Sequence, residues 1–311
     1  MHMADTLISP VVGVAMYAVS TAAIVYSMKK IKKDDLCEKK IPLIGLMSAF
    51  VFAAQMINFT IPATGSSGHI AGGILLAAII GCFPALLSIS AVLIIQCLFF
   101  ADGGLLALGC NIFNMGVIPC LIVYPLVYKP LIKKGMTPAG ITIASIAAVV
   151  SALQLGAFSV VLQTQLSGIT ALPFSTFAPL MQPIHLAIGA MEGIITAAIL
   201  CYVYKMRPEI MESAFDRTAI KSGVSMRNVL IVLAVITLFV GGVLSLFASA
   251  YPDGLEWAME KTAGTKFYAG GGGSGMGTTV SGIVGSVLTF LFAIGIAFYS
   301  TTLKKVSKGS L

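Results

Sequence analysis

Apolar residues in this chain run in blocks too long for a soluble core, separated by short polar breaks. Nine blocks are predicted to be helical spans, over residues 7–28, 43–61, 69–82, 84–100, 105–128, 139–165, 184–204, 229–250 and 279–303. Residues 43–61, 105–128, 139–163, 229–250 and 279–303 are each near or above the roughly 20 apolar residues that cross a bilayer. The third block is short. Residues 69–100 together make 32 positions, too many for one straight crossing, and Gly81-Cys82-Phe83-Pro84 reads as a turn or kink between two spans. The pattern predicts an all-α polytopic membrane bundle, multi-pass in a prokaryotic cell membrane, with a seven-span core and two further C-terminal spans.

Composition sharpens this reading. Of 311 residues, 58% are hydrophobic and 10% charged, at a mean hydropathy of +0.98, whereas soluble domains carry about 25% charged residues. The net charge of +7 is a matter of topology, and no nucleic-acid partner is inferred from it. Seventeen of the nineteen lysines and arginines fall in residues 29–40, 129–134, 205–227 and 304–308, all on one side of a nine-span bundle. That side is predicted to be the cytoplasm, which puts the N-terminus outside and the C-terminus inside. Merging spans three and four would place loop 129–135 on the wrong side. The polar stretch 206–228 is read as a cytoplasmic linker between a seven-span unit, 1–205, and a two-span unit, 229–311. The external loop of the second unit holds Tyr251-Pro252-Asp253-Gly254-Leu255-Glu256-Trp257 and the tract Gly270–Gly273, a flexible linker by composition. The six cysteines form no CxxC pair and predict neither a disulfide nor a zinc site. No basic n-region or small-residue cleavage site marks a signal peptide, so Met1 is expected to stay.

The chain opens Met1-His2-Met3-Ala4-Asp5, at the end predicted to face outward. A bulky second residue blocks removal of Met1, so the free amine belongs to Met1. That amine, the amide nitrogen of residue 2 and the His2 imidazole form fused chelate rings on one ion, and a second imidazole would complete four nitrogens in a plane. Planar nitrogen coordination suits Ni²⁺ or Cu²⁺, while imidazoles alone also accept Zn²⁺ or Co²⁺. The fourth donor is expected to be His69, in Gly65-Ser66-Ser67-Gly68-His69 at the same membrane face. Small residues before it let a backbone approach closely. The alternative keeps His2 as an exposed terminal residue and His69 as a helix-start residue satisfied by backbone. Two histidines 67 positions apart do not decide between them.

Met1-His2, Phe50-Val51-Phe52-Ala53-Ala54-Gln55-Met56-Ile57-Asn58-Phe59 and Gly65–His69 together resemble the substrate-capture component of nickel and cobalt energy-coupling-factor (ECF) transporters, the NikM/CbiM family. So do Gly109-Cys110-Asn111-Ile112-Phe113-Asn114-Met115-Gly116 and His185-Leu186-Ala187-Ile188-Gly189-Ala190-Met191-Glu192-Gly193. The resemblance covers residues 1 to about 205. It implies an N-terminus inserted into the bundle, with metal held by the Met1 amine, the His2 amide and imidazole, and the His69 imidazole. Many members read Ile-Pro-Asp-Gly after His2; this chain reads Met3-Ala4-Asp5-Thr6 and keeps Asp5. From about residue 221 the chain resembles the two-span accessory component, fused to the first, with its PDGLE signature at Pro252–Glu256. Ni²⁺ or Co²⁺ would be the transported substrate, cobalt serving cobalamin biosynthesis. No GxxxxGK[ST] loop is present, so the chain is expected to bind no ATP by that motif. Cytoplasmic ATPase subunits and a membrane coupling subunit are therefore expected partners, driving reorientation of the whole helical unit after capture outside.

Other polar residues have two readings each. His185, Gln55, Ser67 and Asp5 are candidates to support the ligands, as such sites commonly require. Gln55, Asn58, Asn111 and Asn114 read chiefly as helix-to-helix hydrogen-bonding residues, and alternatively as residues that orient the N-terminal loop. Glu192 is a carboxylate inside a span, functional by default or a packing contact. Asp253 and Glu256 could meet metal, but a turn at Pro252-Asp253-Gly254 is favoured. Two rivals are weighed. Gly65-Ser66-Ser67-Gly68 with His185 fits a rhomboid-type intramembrane serine protease, Ser67 as nucleophile and His185 as base; it leaves Met1-His2 unexplained, and no enzyme is predicted. A capture component for an organic vitamin would need an aromatic-lined cavity, and the single Trp257 lies in a loop.

Overall fold

The computed structural model describes residues 1–31, 35, 39–133, 135–220, 226–264 and 275–309. The tract Gly270–Gly273, Cys37 and the basic residues Lys32, Lys33, Lys134 and Lys221 fall outside them. In chain order the helices are α1 (Pro10–Lys30), α2 (Lys40–Gln55), α3 (Gly73–Ile80), α4 (Cys82–Phe100), α5 (Leu108–Ile132), α6 (Pro138–Ser167), α7 (Phe174–Met206), α8 (Pro208–Asp216), α9 (Arg227–Gly242), α10 (Gly254–Ala263) and α11 (Gly275–Gly309). Among the described residues, seven stretches are long and apolar enough to cross a membrane: α1, α4, α5, α6, α7, Arg227–Phe247 and Thr279–Ser300 of α11. Large apolar side chains such as Val11, Leu126, Leu166 and Phe247 stand exposed on them, as a lipid solvent permits. The chain is a helical membrane bundle.

Two predicted spans take a different form, and both lead to one end of the bundle. The second ends at Gln55 instead of residue 61. Beyond it Phe59–Ile61 (β1) pairs antiparallel with Ser66–Gly68 (β2), Thr60 opposite Ser67. The third is a helix of eight residues, about 12 Å long, preceded by non-helical chain from His69 to Gly72. Non-helical backbone at membrane depth persists only where protein satisfies it. Here the Gln55 Nε2 donates to the Ala71 carbonyl at 2.8 Å, and the Glu192 carboxylate accepts from the Gly72 amide at 3.0 Å. Gly72, at φ 78°, and Gly81, at φ 90°, bound α3, a left-handed backbone that suits glycine. The turn between the third and fourth segments is made by Gly81, while Pro84 sits harmlessly in the first turn of α4, where no amide donor is needed.

Helix α7 starts at Phe174, ten residues before the predicted boundary, with Pro179 and Pro183 inside it. Each proline removes one amide donor, a small loss for a 33-residue helix lying along α6. Gly189 and Gly193 bring the two backbones together, since a Cβ there would meet the Val150 and Ile146 Cα atoms at 3.2 and 2.9 Å. Within α5, Phe113–Tyr128 widens into π-type turns around Pro119 and Pro125. The stretch read as a linker holds α8, whose Ile210, Met211 and Ala214 are buried. Its C-terminal end draws cations, as helix ends do: Lys129 Nζ reaches Phe215 O at 2.7 Å, and Lys40 Nζ reaches Ser213 O at 3.4 Å and Thr218 O, two residues past the helix, at 2.8 Å.

The C-terminal helices α9 and α11 pack on α2 through glycines. A Cβ at Gly282 would press on the Gly241 carbonyl at 2.8 Å, one at Gly45 on Ile294 at 2.7 Å, and one at Gly285 would overlap the Phe52 ring. Between them, α10 lies over the hairpin, where Trp257 Nε1 donates to Thr64 O at 3.0 Å, and in the segment before α10 Ser249 N donates to Asn58 O at 2.7 Å.

Candidate metal site at the N-terminal arm

Residues 1–9 thread into the bundle before Ser9-Pro10 opens α1, and Met1, Met3, Leu7 and Ile8 are buried. A two-point clamp sets the register of the arm: Asn111 Oδ1 accepts from Met3 N at 2.8 Å and Asn111 Nδ2 donates to Met3 O at 3.1 Å. Gly104 N adds a third bond to Met3 O at 2.9 Å, and Asp5 Oδ1 accepts from Ala107 N at 3.0 Å. Asp5 thus closes the α4–α5 loop over the arm and holds it from the far side.

The clamp delivers His2 to His69. The two rings stack with centroids 5.1 Å apart and planes 25° apart. Met1, His69 and His185 line one cavity of about 10 Å³ together with Asp253 and Gly254, roughly the space of one water. Among the described residues, both ring nitrogens of His69 and Nε2 of His185 are buried with no hydrogen-bond partner; His185 Nδ1 is engaged by Met181 O at 2.8 Å. Orphaned buried nitrogens are costly in a finished core, and these face a cavity.

A polar relay settles which nitrogen of His2 carries the proton. Ala71 O can only accept, so Gln55 presents Nε2 to it and turns Oε1 to Gln96 Nε2, at 2.7 Å. Gln96 Oε1 is left for His2 Nε2, 3.2 Å away, which must donate. His2 Nδ1 then carries the lone pair, and it is the nitrogen that closes a chelate ring with the residue-2 amide. Burial first, and then the neighbouring Met1 amine, depress the His2 imidazole to about 3, so the ring is neutral. The 3.4 Å approach of Asp102 Oδ1 to Nδ1 is therefore a long contact and not an ion pair.

The Met1 amine itself lies 2.9 Å from Asp253 Oδ2. Asp253 opens α10 instead of forming an isolated turn. Its Oδ1 accepts from Leu255 N and Glu256 N at 2.8 and 2.9 Å, and Glu256 Oε2 accepts from Asp253 N at 3.1 Å, a reciprocal capping box. Burial works to raise the Asp253 carboxyl, but the ammonium and these hydrogen bonds hold it well below the usual range. Glu256 is pushed up to about 7, by burial first and then by the Asp253 charge.

The structure brings Met1, His2, His69 and His185 together and links Gln55 to them through Gln96. Ser67 stands apart: its hydroxyl donates to Tyr251 O at 2.7 Å, and no described hydrogen bond joins it to His185. Gln96 and Asp102 escaped the reading of the sequence, although a glutamine within Leu93-Ile94-Ile95-Gln96-Cys97-Leu98 was a signal of its own. No group of three His, Cys, Asp or Glu side chains poised for a metal occurs among the described residues. The expected donor set is of another kind, half of it backbone nitrogen.

Residues 2–210 match the family model for the cobalt uptake substrate-specific transmembrane region, CbiM. The chain belongs to the CbiM family. Residues 227–275 match the PDGLE domain. A provisionally named metal transport protein, MJ1569 of Methanocaldococcus jannaschii, is 34% identical over 216 residues, spanning 68% of this chain and 96% of its own. A provisionally named fused nickel transport protein, NikMN of Archaeoglobus fulgidus, is 28% identical over 313 residues, 97% of this chain and all of its own. A crystal structure of a transition metal transporter superposes with TM-score 0.58 at 30% identity, over 67% of this chain and 95% of that one. As a member of this family the chain is a multi-pass membrane component of metal uptake.

Proposed function

We propose that this chain is the substrate-capture component of an ECF-type importer that takes Ni²⁺ or Co²⁺ from outside the membrane. The ligands are the Met1 amine, the His2 amide nitrogen and Nδ1, and one His69 ring nitrogen. The observation that carries this reading is the burial of Met1, His2 and His69 at one end of the bundle, around orphaned ring nitrogens. The unprotonated Nδ1 dictated by Gln96 is the chemistry such a chelate needs. Residues 1–205 form the capture unit, 206–228 a cytoplasmic connection and 229–311 the accessory unit, with the N-terminus outside. Cytoplasmic ATPase subunits and a membrane coupling subunit supply the energy. Nickel is favoured over cobalt by the planar nitrogen set, which suits Ni²⁺, and by the name of the relative that spans both parts.

Metal entry exchanges two protons, one from the ammonium and one from the amide, for one dication. The net charge of the ligand set stays at one positive unit, and affinity falls in acid.

The test is His2→Gln in the otherwise native chain, a second residue bulky enough to keep Met1. Native protein is expected to hold one nickel, with the yellow absorption of planar nickel–nitrogen complexes. The substitution removes the imidazole that closes the chelate and is expected to abolish that band. Equal nickel content and an equal spectrum in both forms would exclude the terminal chelate.

A further inference from the structure

The accessory unit reaches the metal site directly, through one carboxylate. Three separate contacts seat the Pro252–Glu256 segment on the capture unit. The edge of β2 pairs with it, Ser67 N donating to Pro252 O at 2.8 Å and the Ser67 hydroxyl to Tyr251 O at 2.7 Å. Gly254 lies flat on α7, where a Cβ would meet Ile188 at 2.6 Å and His185 Nε2 at 3.2 Å. Asp253 Oδ2 takes the Met1 amine at 2.9 Å, with both side chains largely shielded from solvent.

Each contact has a physical consequence. Only glycine at position 254 lets the backbone come down onto His185. The capping box immobilises the carboxylate, because Oδ1 is held by two amides of α10 and leaves Oδ2 a single direction. A buried, charge-assisted hydrogen bond of this kind is among the stronger ones available to a protein. Without it, a buried ammonium would stand unpaired, which is costly.

We propose that the Pro252–Glu256 segment is a lid on the metal site, and that Asp253 is a positioning residue that holds the Met1 amine where the metal will bind. It rests on the reading of Met1, His2 and His69 as the ligand set. In the empty protein Asp253 neutralises the ammonium. In the loaded protein it faces a ligand set of the same net charge, so the lid closes over both states and excludes the bilayer surface and bulk water from them. Capture and accessory units are thereby one binding device, and the fusion fixes their proportion at one to one.

The experiment uses the full chain and two variants, Asp253→Asn and Gly254→Ala, with Asp253→Glu as a third for rescue. Asn keeps the shape and an oxygen for the α10 amides but removes the charge; Ala lifts the lid sterically and leaves the charge. The first readout is acylation of the Met1 amine by an N-hydroxysuccinimide ester in metal-free protein, followed by mass spectrometry. Both variants are expected to react about tenfold faster than the native chain, equivalent to about 1.4 kcal/mol. The second readout is the rate of nickel loss to a chelator, expected to rise about tenfold in Asp253→Asn, with Asp253→Glu restoring part of the retention. A merely structural role for Asp253 would leave that rate and the Glu rescue unmoved. Unchanged acylation in both variants overturns the lid. Faster acylation with unchanged nickel loss overturns the positioning role while the metal site stands. A native chain that holds no nickel overturns the ligand reading, and the acylation arm still decides whether the lid contact exists. Should Asp253→Asn fail to fold, Gly254→Ala carries both readouts.

Discussion

Burial, and not only spacing, sets the chemistry of the His2 imidazole. An imidazole at a chain terminus titrates near 6.5 in water, but the docked His2 ring is depressed to about 3 by burial and by the Met1 amine beside it. Between those values the undocked arm binds a proton that the docked arm does not. Docking is therefore at full strength above about pH 6.5 and weakens progressively as pH falls toward 3, in the direction set by linkage. The methyl resonance of Met1, which packs 3.2 Å from the Cβ position of Gly156, should report this in metal-free protein. Its docked shift is expected to persist from pH 8 to 6.5 and give way to a free one below. A docked fraction that rises in acid would contradict a neutral buried ring. At this scale the meeting of His2 with His69 beside Met1 was legible, because an N-terminal Met-His and one of three histidines are rare residues in special places. The relay was not. Gln96 acts on His2 from 94 positions away, and no local pattern announces which end of an amide side chain faces which neighbour. Asp253 was seen as a turn former because Pro-Asp-Gly favours turns; that the same carboxylate also meets an amine 252 positions away is a property of the fold.

The elements that carry the site are those where the apolar pattern was least faithful. Residues 56–61 are apolar enough to extend the second span, yet β1 pairs there with β2, since a helix continued past Gln55 could not turn back to present His69. The third span was read as starting at His69, whereas the helix begins at Gly73. The four residues between are held by Gln55 on one side and Glu192 on the other. Hydropathy cannot report this, because an extended segment buried in protein and a helix in lipid select the same apolar residues. Glycine could have: Gly72 occupies φ 78°, and a Cβ there would meet Val51 at 2.7 Å. Gly72→Ala is accordingly expected to destabilise by about 1–3 kcal/mol, the scale of a residue forced into the left-handed region. Because the strain falls three residues from His69, it should also weaken nickel binding several-fold, whereas Gly295→Ala, where a Cβ meets nothing within 4 Å, should change neither. Thermal unfolding and nickel titration of the purified variants would check both effects, and an unperturbed Gly72→Ala would show that the broken segment does not set the position of His69.

For the whole molecule, the question is what fixes the accessory unit over a site built by the other two thirds of the chain. The sequence divided the chain near its polar stretch and counted two spans after it, but which face those spans would adopt was beyond pattern, since two apolar helices can dock anywhere on a lipid-facing bundle. The structure answers with glycines. Helix α11 meets α2 at Gly45 and Gly285 and meets α9 at Gly241 and Gly282, and close approach of this sort is what associates helices where no hydrophobic force acts between them. The contact lies on α2, the helix that ends in Gln55 and so begins the relay to His2. A methyl group at position 285 would overlap Phe52, one turn before Gln55. Gly285→Ala is thus expected to push α11 from α2 and disturb the site along two routes, by loosening the segment that bears Asp253 and by shifting Gln55. Nickel loss should accelerate, and Met1 should become more reactive to acylation, although no residue near the metal has changed. Helix content by circular dichroism should stay within error, because the overlap is local to one crossing. If Gly285→Ala retains nickel as the native chain does, while a disulfide trap shows α11 displaced, the accessory helices serve only to tether the lid, and its seating comes from β2, Trp257 and Gly254 alone.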